Sequence, residues 1–454
     1  MNSPNKKSPF EIRNVRSFIA FRVFFNARFY YPVFTILFLD FGLSLEQFAL
    51  LNAVWAAVIV LTEVPSGALA DVMGRRNLLV FAGIAMVFEM ATICFAPKNN
   101  LSIIFVLFLI NRILSGMAEA AASGADEALA YDSLMQEGDV DEWGLVLEKE
   151  MRYRSITMAV AMSVGAAVYD PVFINRVFSI IGINLELPQY ITLRLPLYLT
   201  LVMSVFTLVS TFRMKESPRK DTSACSDFTG CRKSVGEAFK LTMGAGKWVM
   251  STPFALIIIV SAMAFDHILR LIVTLDSQYF RIIMLPEATF GLIGTAFSVL
   301  AFFISRIARS LAENRGPSYN LAVTAVISLA GISAMALFIP LYGILPTILI
   351  FSAFYLLSFF VSYYLNQITD SDQRATVLSI KGLCLNGAYG IIGILYSLLV
   401  AFHRANLAEY QPELQGDVLE NTVFIKSFSW FPFYFILILG LLSIFIWSMT
   451  KKEK

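Results

Sequence analysis

Charged side chains are rare in this sequence, so those set inside apolar stretches are the first candidates for chemistry. The run 62–80, TEVPSGALADVMGRRNLLV, holds Glu63, Asp71, Arg75 and Arg76 among small residues and a proline. A second group lies in RILSGMAEAAASGADEALA, where Arg112, Gly116, Glu119, Ser123, Asp126 or Glu127, and Ala130 recur three and four apart. That spacing predicts one polar or small stripe along a helix, facing protein or a water-filled cavity rather than lipid. A third group, FDHILRLIVTLDS, contains Asp266, His267 and Arg270. Asp266 and Arg270 are four apart and suited to an intrahelical pair, with Thr274 and Ser277 continuing that face. Arg28, Lys381 and Asn386 stand in further apolar segments. Ionisable groups inside a membrane are costly and mark ion or substrate paths when they line a cavity. The chemistry they suggest is proton exchange on carboxylates and the holding of a polar or charged small molecule.

Each group also has a structural alternative. Glu63 precedes Pro65 by two residues and lies about 10 Å inside the membrane by helical rise; it either lines a cavity or is a paired or protonated structural acid. Arg112 can close a helix–helix salt bridge with Glu89. His267, one of only 2 histidines, either titrates beside Asp266 or is a hydrogen-bonded structural residue. If Arg28, Arg112, Arg270 and Lys381 all reach one cavity, an anionic or zwitterionic cargo follows. If Asp266, Glu119 and Glu127 pair them off, it does not. The aromatic load, including Phe24, Phe25, Phe29, Tyr30 and Tyr31, reads as packing and lipid-facing surface.

The elements that position these residues follow from composition. Of 454 residues 57% are hydrophobic, 40 are Phe and only 15% are charged, against about 25% charged in soluble domains. Mean hydropathy is +0.69. This is a polytopic membrane protein, and its net charge of +2 gives no signal for nucleic acid. Stretches long enough to span a bilayer, roughly 20 residues, lie near 16–40, 46–70, 77–96, 100–133, 149–170, 190–213, 250–280, 287–310, 318–340, 343–368, 376–401 and 429–450. The fold class predicted is an all-α membrane protein with twelve transmembrane helices in two six-helix bundles. Residues 1–213 form the first bundle and 250–454 the second. Between them, 214–249 is a cytoplasmic linker whose end, SVGEAFKLTMGAGKW, has the pattern of a short amphipathic helix.

Lysine and arginine fix the orientation. Lys6, Lys7, Arg13 and Arg16 precede the first span, Arg75 and Arg76 follow the second, six cations fill the central loop, and Lys451, Lys452 and Lys454 end the chain. The opposite loops are sparser, with Lys98, Arg176, Arg281 and Arg404. Both termini are therefore expected in the cytoplasm, with the first span an uncleaved start signal. The four cysteines, Cys94, Cys225, Cys231 and Cys384, match no zinc spacing, and no metal or cofactor is expected. No H-E-x-x-H, G-x-S-x-G or Walker A sequence occurs, so a membrane-embedded enzyme using Asp266 and His267 is the weakest reading. The halves also repeat: ALADVMG follows the second span and SLAENRG the eighth, placing Asp71 against Glu313, 313 − 71 = 242 residues on. Two parallel repeats about an axis normal to the membrane follow.

On these residues the sequence resembles the major facilitator superfamily over essentially its whole length. Gly67, Leu69, Ala70, Asp71, Gly74, Arg75 and Arg76 match that family's G-x-L-A-D-x-x-G-R-R loop. RILSGMAEA partly matches the R-x-x-Q-G-x-G-x-A motif of proton-coupled exporters, with Ser115 and Ala118 as departures. DEALAYDSL and DQRATVLS resemble a bacterial drug-exporter-like branch. The resemblance implies a conformational latch in which Asp71 faces the N-terminal end of the eleventh span and Arg75 bridges Asp71 to Asp132. It implies a part for Arg112 in proton coupling. The function expected is secondary transport of small organic molecules by alternating access in a bacterial inner membrane. The protein would act as a monomer with the proton as coupling ion and export as the direction. Proton-coupled uptake of an organic anion is the alternative.

Overall fold

The computed structural model describes residues 7–97, 100–183, 185–216, 236, 240, 242–244, 246–369 and 371–452, and for residues 68, 71, 72, 371–376 and 452 the backbone alone. Most of the linker expected at 214–249 lies outside the described residues, with Cys225 and Cys231. Among the described residues the chain is helical throughout and has no strand. Among the described residues ten helices are long and apolar enough to cross a membrane, and a pair bent by 87° would be an eleventh if taken as one span. The remaining span, the first, is broken into α1 (Arg13–Asn26) and α2 (Phe34–Asp40).

By internal packing the chain forms two compact units. Unit 1 holds Met1–Pro32 and Val58–Lys240; unit 2 holds Val33–Ala57 and Leu241–Lys454. The bundles drawn from sequence were contiguous, whereas α2 and the first half of α3 (Leu45–Met73) cluster with the C-terminal helices.

In unit 1, α4 (Arg75–Cys94), α5 (Leu101–Ala122), α6 (Ala125–Glu137), α7 (Trp143–Tyr169), α8 (Pro171–Ile180), α9 (Gln189–Thr192) and α10 (Leu195–Phe212) follow α3. The chain leaves α1 at Ala27 and passes through a single 3-10 turn, Tyr31–Val33, around Pro32, which lacks an N–H and so cannot carry the α-helical ladder through. The freed amide of Phe29 donates to Thr200 Oγ1 of α10 at 3.0 Å, so the break stays satisfied. α7 accommodates it with a glycine: a Cβ at Gly165 would lie 1.7 Å from the Phe29 carbonyl oxygen. The fourth span is also interrupted. It turns at Ser123 and at Gly124, whose φ is +75°. The stripe expected along one helix from Arg112 to Ala130 is thus split between α5 and α6, because a left-handed residue ends the helical phase.

In unit 2, α11 (Pro253–Thr274) and α12 (Asp276–Ile282) form the broken seventh span. After them come α13 (Phe290–Asn314), α14 (Pro317–Met335), α15 (Ile344–Ile368), α16 (Ser371–Tyr410), α17 (Gly416–Phe428) and α18 (Phe431–Lys452). The internal repeat is visible in where helices start. From Phe34 to Asp276 is 276 − 34 = 242 residues, and from Arg75 to Pro317 is 317 − 75 = 242. Both equal the separation of Asp71 from Glu313. The seven-residue helices α2 and α12 are thus counterparts. Within unit 2 they meet: Thr35 N and Ile36 N donate to Ser277 Oγ at 3.0 and 3.3 Å, and Thr35 Oγ1 donates to Thr274 O at 2.5 Å.

Candidate functional site

The break after α1 positions Arg28. Its side chain is buried, 1% exposed, and its Nη1 lies 2.6 Å from Glu89 Oε1 of α4, itself 0% exposed. Nη1 also reaches Tyr30 Oη at 3.2 Å, and Nη2 reaches Glu119 Oε1 of α5 at 3.5 Å. Glu119 is 36% exposed and stands at the open edge of the cluster. One cation therefore serves two carboxylates of different exposure, and among the described residues Glu89 Oε2 has no hydrogen-bond partner. Glu89 consequently does not bridge to Arg112, the alternative raised from sequence. Arg112 is buried and donates through Nε and Nη2 to Asn111 Oδ1 at 3.0 and 2.8 Å, while Asn111 Nδ2 donates to Glu89 O at 2.9 Å. Through Asn111, Arg112 is joined to the backbone carbonyl of Glu89 rather than to its carboxylate.

One and a half turns earlier in α1, Arg22 holds the acids of α6. It is ion-paired with Asp126 and lies 3.4 Å from Glu127 Oε2. Glu63 stands apart in α3, with Oε2 buried and no hydrogen-bond partner among the described residues. Nearby, Ser66 Oγ donates to Glu63 O and Ala120 O, both at 2.8 Å, tying the Pro65 region of α3 to α5.

At the start of α4, Arg75 Nη1 is paired with Asp132 of α6. Gly74, at φ +90°, turns the chain into α4. The first free amides of that helix, Arg75 N and Arg76 N, donate to the Glu216 carboxylate at 3.1 and 2.9 Å, a carboxylate at a helix N-terminus. Arg76 Nε donates to Met214 O at 2.8 Å. The side chain of Asp71 lies outside the described residues. Among the described residues a Cβ at Gly67 would meet nothing within 4 Å.

Unit 2 carries its own cluster on α11 and α16. Arg270 Nη2 lies 2.7 Å from Asp266 Oδ2 and Nη1 donates to Asn386 Oδ1 at 2.8 Å. The guanidinium sits 5.4 Å from the Tyr389 ring, a cation–π contact, and Tyr389 Oη is 3.0 Å from Thr274 Oγ1. Lys381 lies in the electrostatic range of Asp266. His267 turns away: Nδ1 meets Met263 O at 2.6 Å and Nε2 meets Tyr434 Oη at 2.9 Å. The Asp266–His267 acid–base pair is therefore not formed, because adjacent residues on a helix point some 100° apart. Arg28 and Arg270 are 270 − 28 = 242 residues apart, so the two repeats place an arginine at the same position.

Sequence reasoning passed over Arg22, Glu89 as the partner of Arg28, Glu216, and two arginine-centred groups in unit 2. Arg281 donates to Asp40 through both terminal nitrogens at 2.7 and 2.8 Å and to Glu287 at 2.7 Å. Arg404 donates to Glu46 at 2.7 and 3.0 Å and to Glu420 at 2.8 Å. A second cation six residues before Arg28 was the available signal for Arg22. Arg281 and Arg404 stood out only as lone cations on sparse loops.

A repeated set of six spans, broken first and seventh helices and arginine–carboxylate pairs inside each unit define a duplicated polytopic membrane protein. The chain belongs to the Major Facilitator Superfamily, whose family model matches residues 17–394. No curated protein sequence matches it. Among solved structures, a bacterial homolog of the human lysosomal transporter Spinster is similar, with a TM-score of 0.69 at 12% identity over 99% of this chain and 98% of that one. The nucleoside transporter NupG gives 0.67 at 14% identity, covering 98% of this chain and 100% of its own. A D-xylose–proton symporter gives 0.60 at 12%, over 94% and 97%. At these identities the likeness is one of fold.

Proposed function

We propose that the protein is a proton-coupled secondary transporter that exports small organic molecules by alternating access. The observation that carries the coupling is the Arg28 cluster. Glu89 is fully buried against Arg28, whereas Glu119, at 3.5 Å and partly exposed, can take up a proton and release its share of the cation. Proton uptake at Glu119 would leave Arg28 wholly to Glu89. The direction rests on the exporter-like motif around Arg112. In the second bundle Asp266, Arg270, Lys381 and Asn386 would face the cargo. Asp71, Arg75, Arg76 and Asp132 would work as the conformational latch, with both termini in the cytoplasm.

The alternative, uptake of an organic anion, needs free buried cations. Arg28 and Arg270 are both ion-paired, which weighs against it. Lys381, with no ion pair within 4 Å among the described residues, is the one observation in its favour.

The test is transport in proteoliposomes with an imposed pH gradient, for the parent protein and Glu119→Gln. Concentrative export should vanish when the gradient is collapsed, and Glu119→Gln should retain cargo binding while losing the dependence on the gradient. Unchanged concentrative transport after collapse would remove proton coupling.

A further inference from the structure

The fifth span ends in a feature that transport does not use. α7 gives way at Asp170 to α8, which bends away from it by 87°. The corner is built to last. Asp170 Oδ1 accepts from Val172 N and Phe173 N at 2.8 and 3.2 Å, Pro171 opens α8, and Gly182, at φ +79°, closes it with Ile183 N donating to Phe178 O at 2.8 Å. Asn175 then pins the return strand of chain, with Nδ2 on Leu187 O at 3.0 Å and Oδ1 accepting from Leu187 N at 2.8 Å. A ten-residue helix that would fray alone is thereby fixed at both ends.

α8 sorts its residues by face. Pro171, Ile174, Asn175 and Phe178 are half-buried against unit 1. The outward stripe is Val172, Phe173, Arg176, Val177, Ser179 and Ile180, all exposed, with Val172 and Ile180 each 77% so. Four apolar residues around one long cation would be unfavourable in water, but they suit a helix lying at a membrane surface, where arginine can reach the headgroups.

Depth agrees with composition. The last charges of α7 are the Glu150–Arg154 pair, 2.9 Å apart. The uncharged remainder, from Ser155 to Tyr169, is 169 − 155 + 1 = 15 residues. At 1.5 Å each it rises about 22 Å, against a hydrocarbon core of about 30 Å. The corner therefore falls about 8 Å short of the far boundary, within the roughly 5–10 Å to which surface helices sink their apolar face.

We propose that α8 lies in the headgroup–acyl boundary of the leaflet opposite the termini, parallel to the bilayer, and holds the fifth span at a fixed depth there. The occupant of its exposed stripe is lipid. The test places nitroxides at V172C, I180C and, as an aqueous reference, E186C, in full-length protein in lipid nanodiscs, with labelling of the parent chain subtracted. Collision rates with oxygen and with a water-soluble nickel chelate are then compared. Oxygen should dominate at 172 and 180 and the chelate at 186. Chelate dominance at 172 and 180 would put α8 in water. Protection from both reagents would put a protein surface, such as a second copy, on the stripe; either result overturns the proposal.

Discussion

At the scale of single residues, Arg28 separates two carboxylates that sequence could not rank. Glu89 and Glu119 are both acids in apolar spans, yet one is sealed at 2.6 Å from the guanidinium and the other is partly exposed at 3.5 Å. Removing one partner of a buried pair leaves an uncompensated charge and costs about 3–5 kcal/mol. The Arg28–Glu119 contact, longer at 3.5 Å and open on the Glu119 side, contributes less, about 1 kcal/mol. Glu89→Ala should therefore lower thermal stability sharply in detergent, while Glu119→Gln should leave the melting temperature nearly unchanged; comparable losses for both would contradict the assignment. The candidates themselves were legible, since an ionisable residue inside a span is conspicuous. Their pairing was not. Arg28 projects from a break whose geometry depends on Thr200, and nothing in the local sequence says which of several distant acids it meets.

At the scale of elements, the decisive positions are small residues. Gly165 is filled from outside by the Phe29 carbonyl, so Gly165→Ala must push backbone against backbone. Overpacking of this kind costs about 1–3 kcal/mol or more, because the neighbour cannot rotate away. Gly67 meets nothing, and Gly67→Ala in α3 should be neutral or mildly stabilising, by up to about 1 kcal/mol. Unfolding of the two variants measures the contrast. A loss of transport in Gly67→Ala with stability retained would show that Gly67 acts in another state of the cycle. Helices were legible because apolar runs of span length are hard to mistake. Breaks were not: Pro32 was read inside one continuous span, 16–40, and Ser123 and Gly124 sit in a small-residue run where a helix and a turn read alike.

At the scale of the whole molecule, the duplication was legible from one short match. The structure extends it to helix starts 242 residues apart and to the paired positions of Arg28 and Arg270. The packing units were not legible, since a contiguous cut at the central loop is what a tandem repeat suggests. Instead α2 and half of α3 belong with the C-terminal helices, fastened by Asp40 on Arg281 and Glu46 on Arg404. Bidentate geometry matters at both sites, so Arg281→Lys and Arg404→Lys should weaken this packing despite conserving charge. Limited proteolysis of the double variant should show earlier cleavage in and around 33–57 than in the parent; an unaltered pattern would show the pairs to be incidental.

The same interleaving governs what happens if the chain is cut. A cleaved linker near 217–235 would yield a C-terminal fragment whose Arg281 and Arg404 have lost acids that reside on the N-terminal fragment, and whose glycine-lined face at Gly390 and Gly393 has lost Ala49, Ala53 and Ala56. Neither piece would then be a self-sufficient folding body. Co-expressed halves should rescue one another by complementation, while either half made alone should be cleared by the membrane's quality-control proteases.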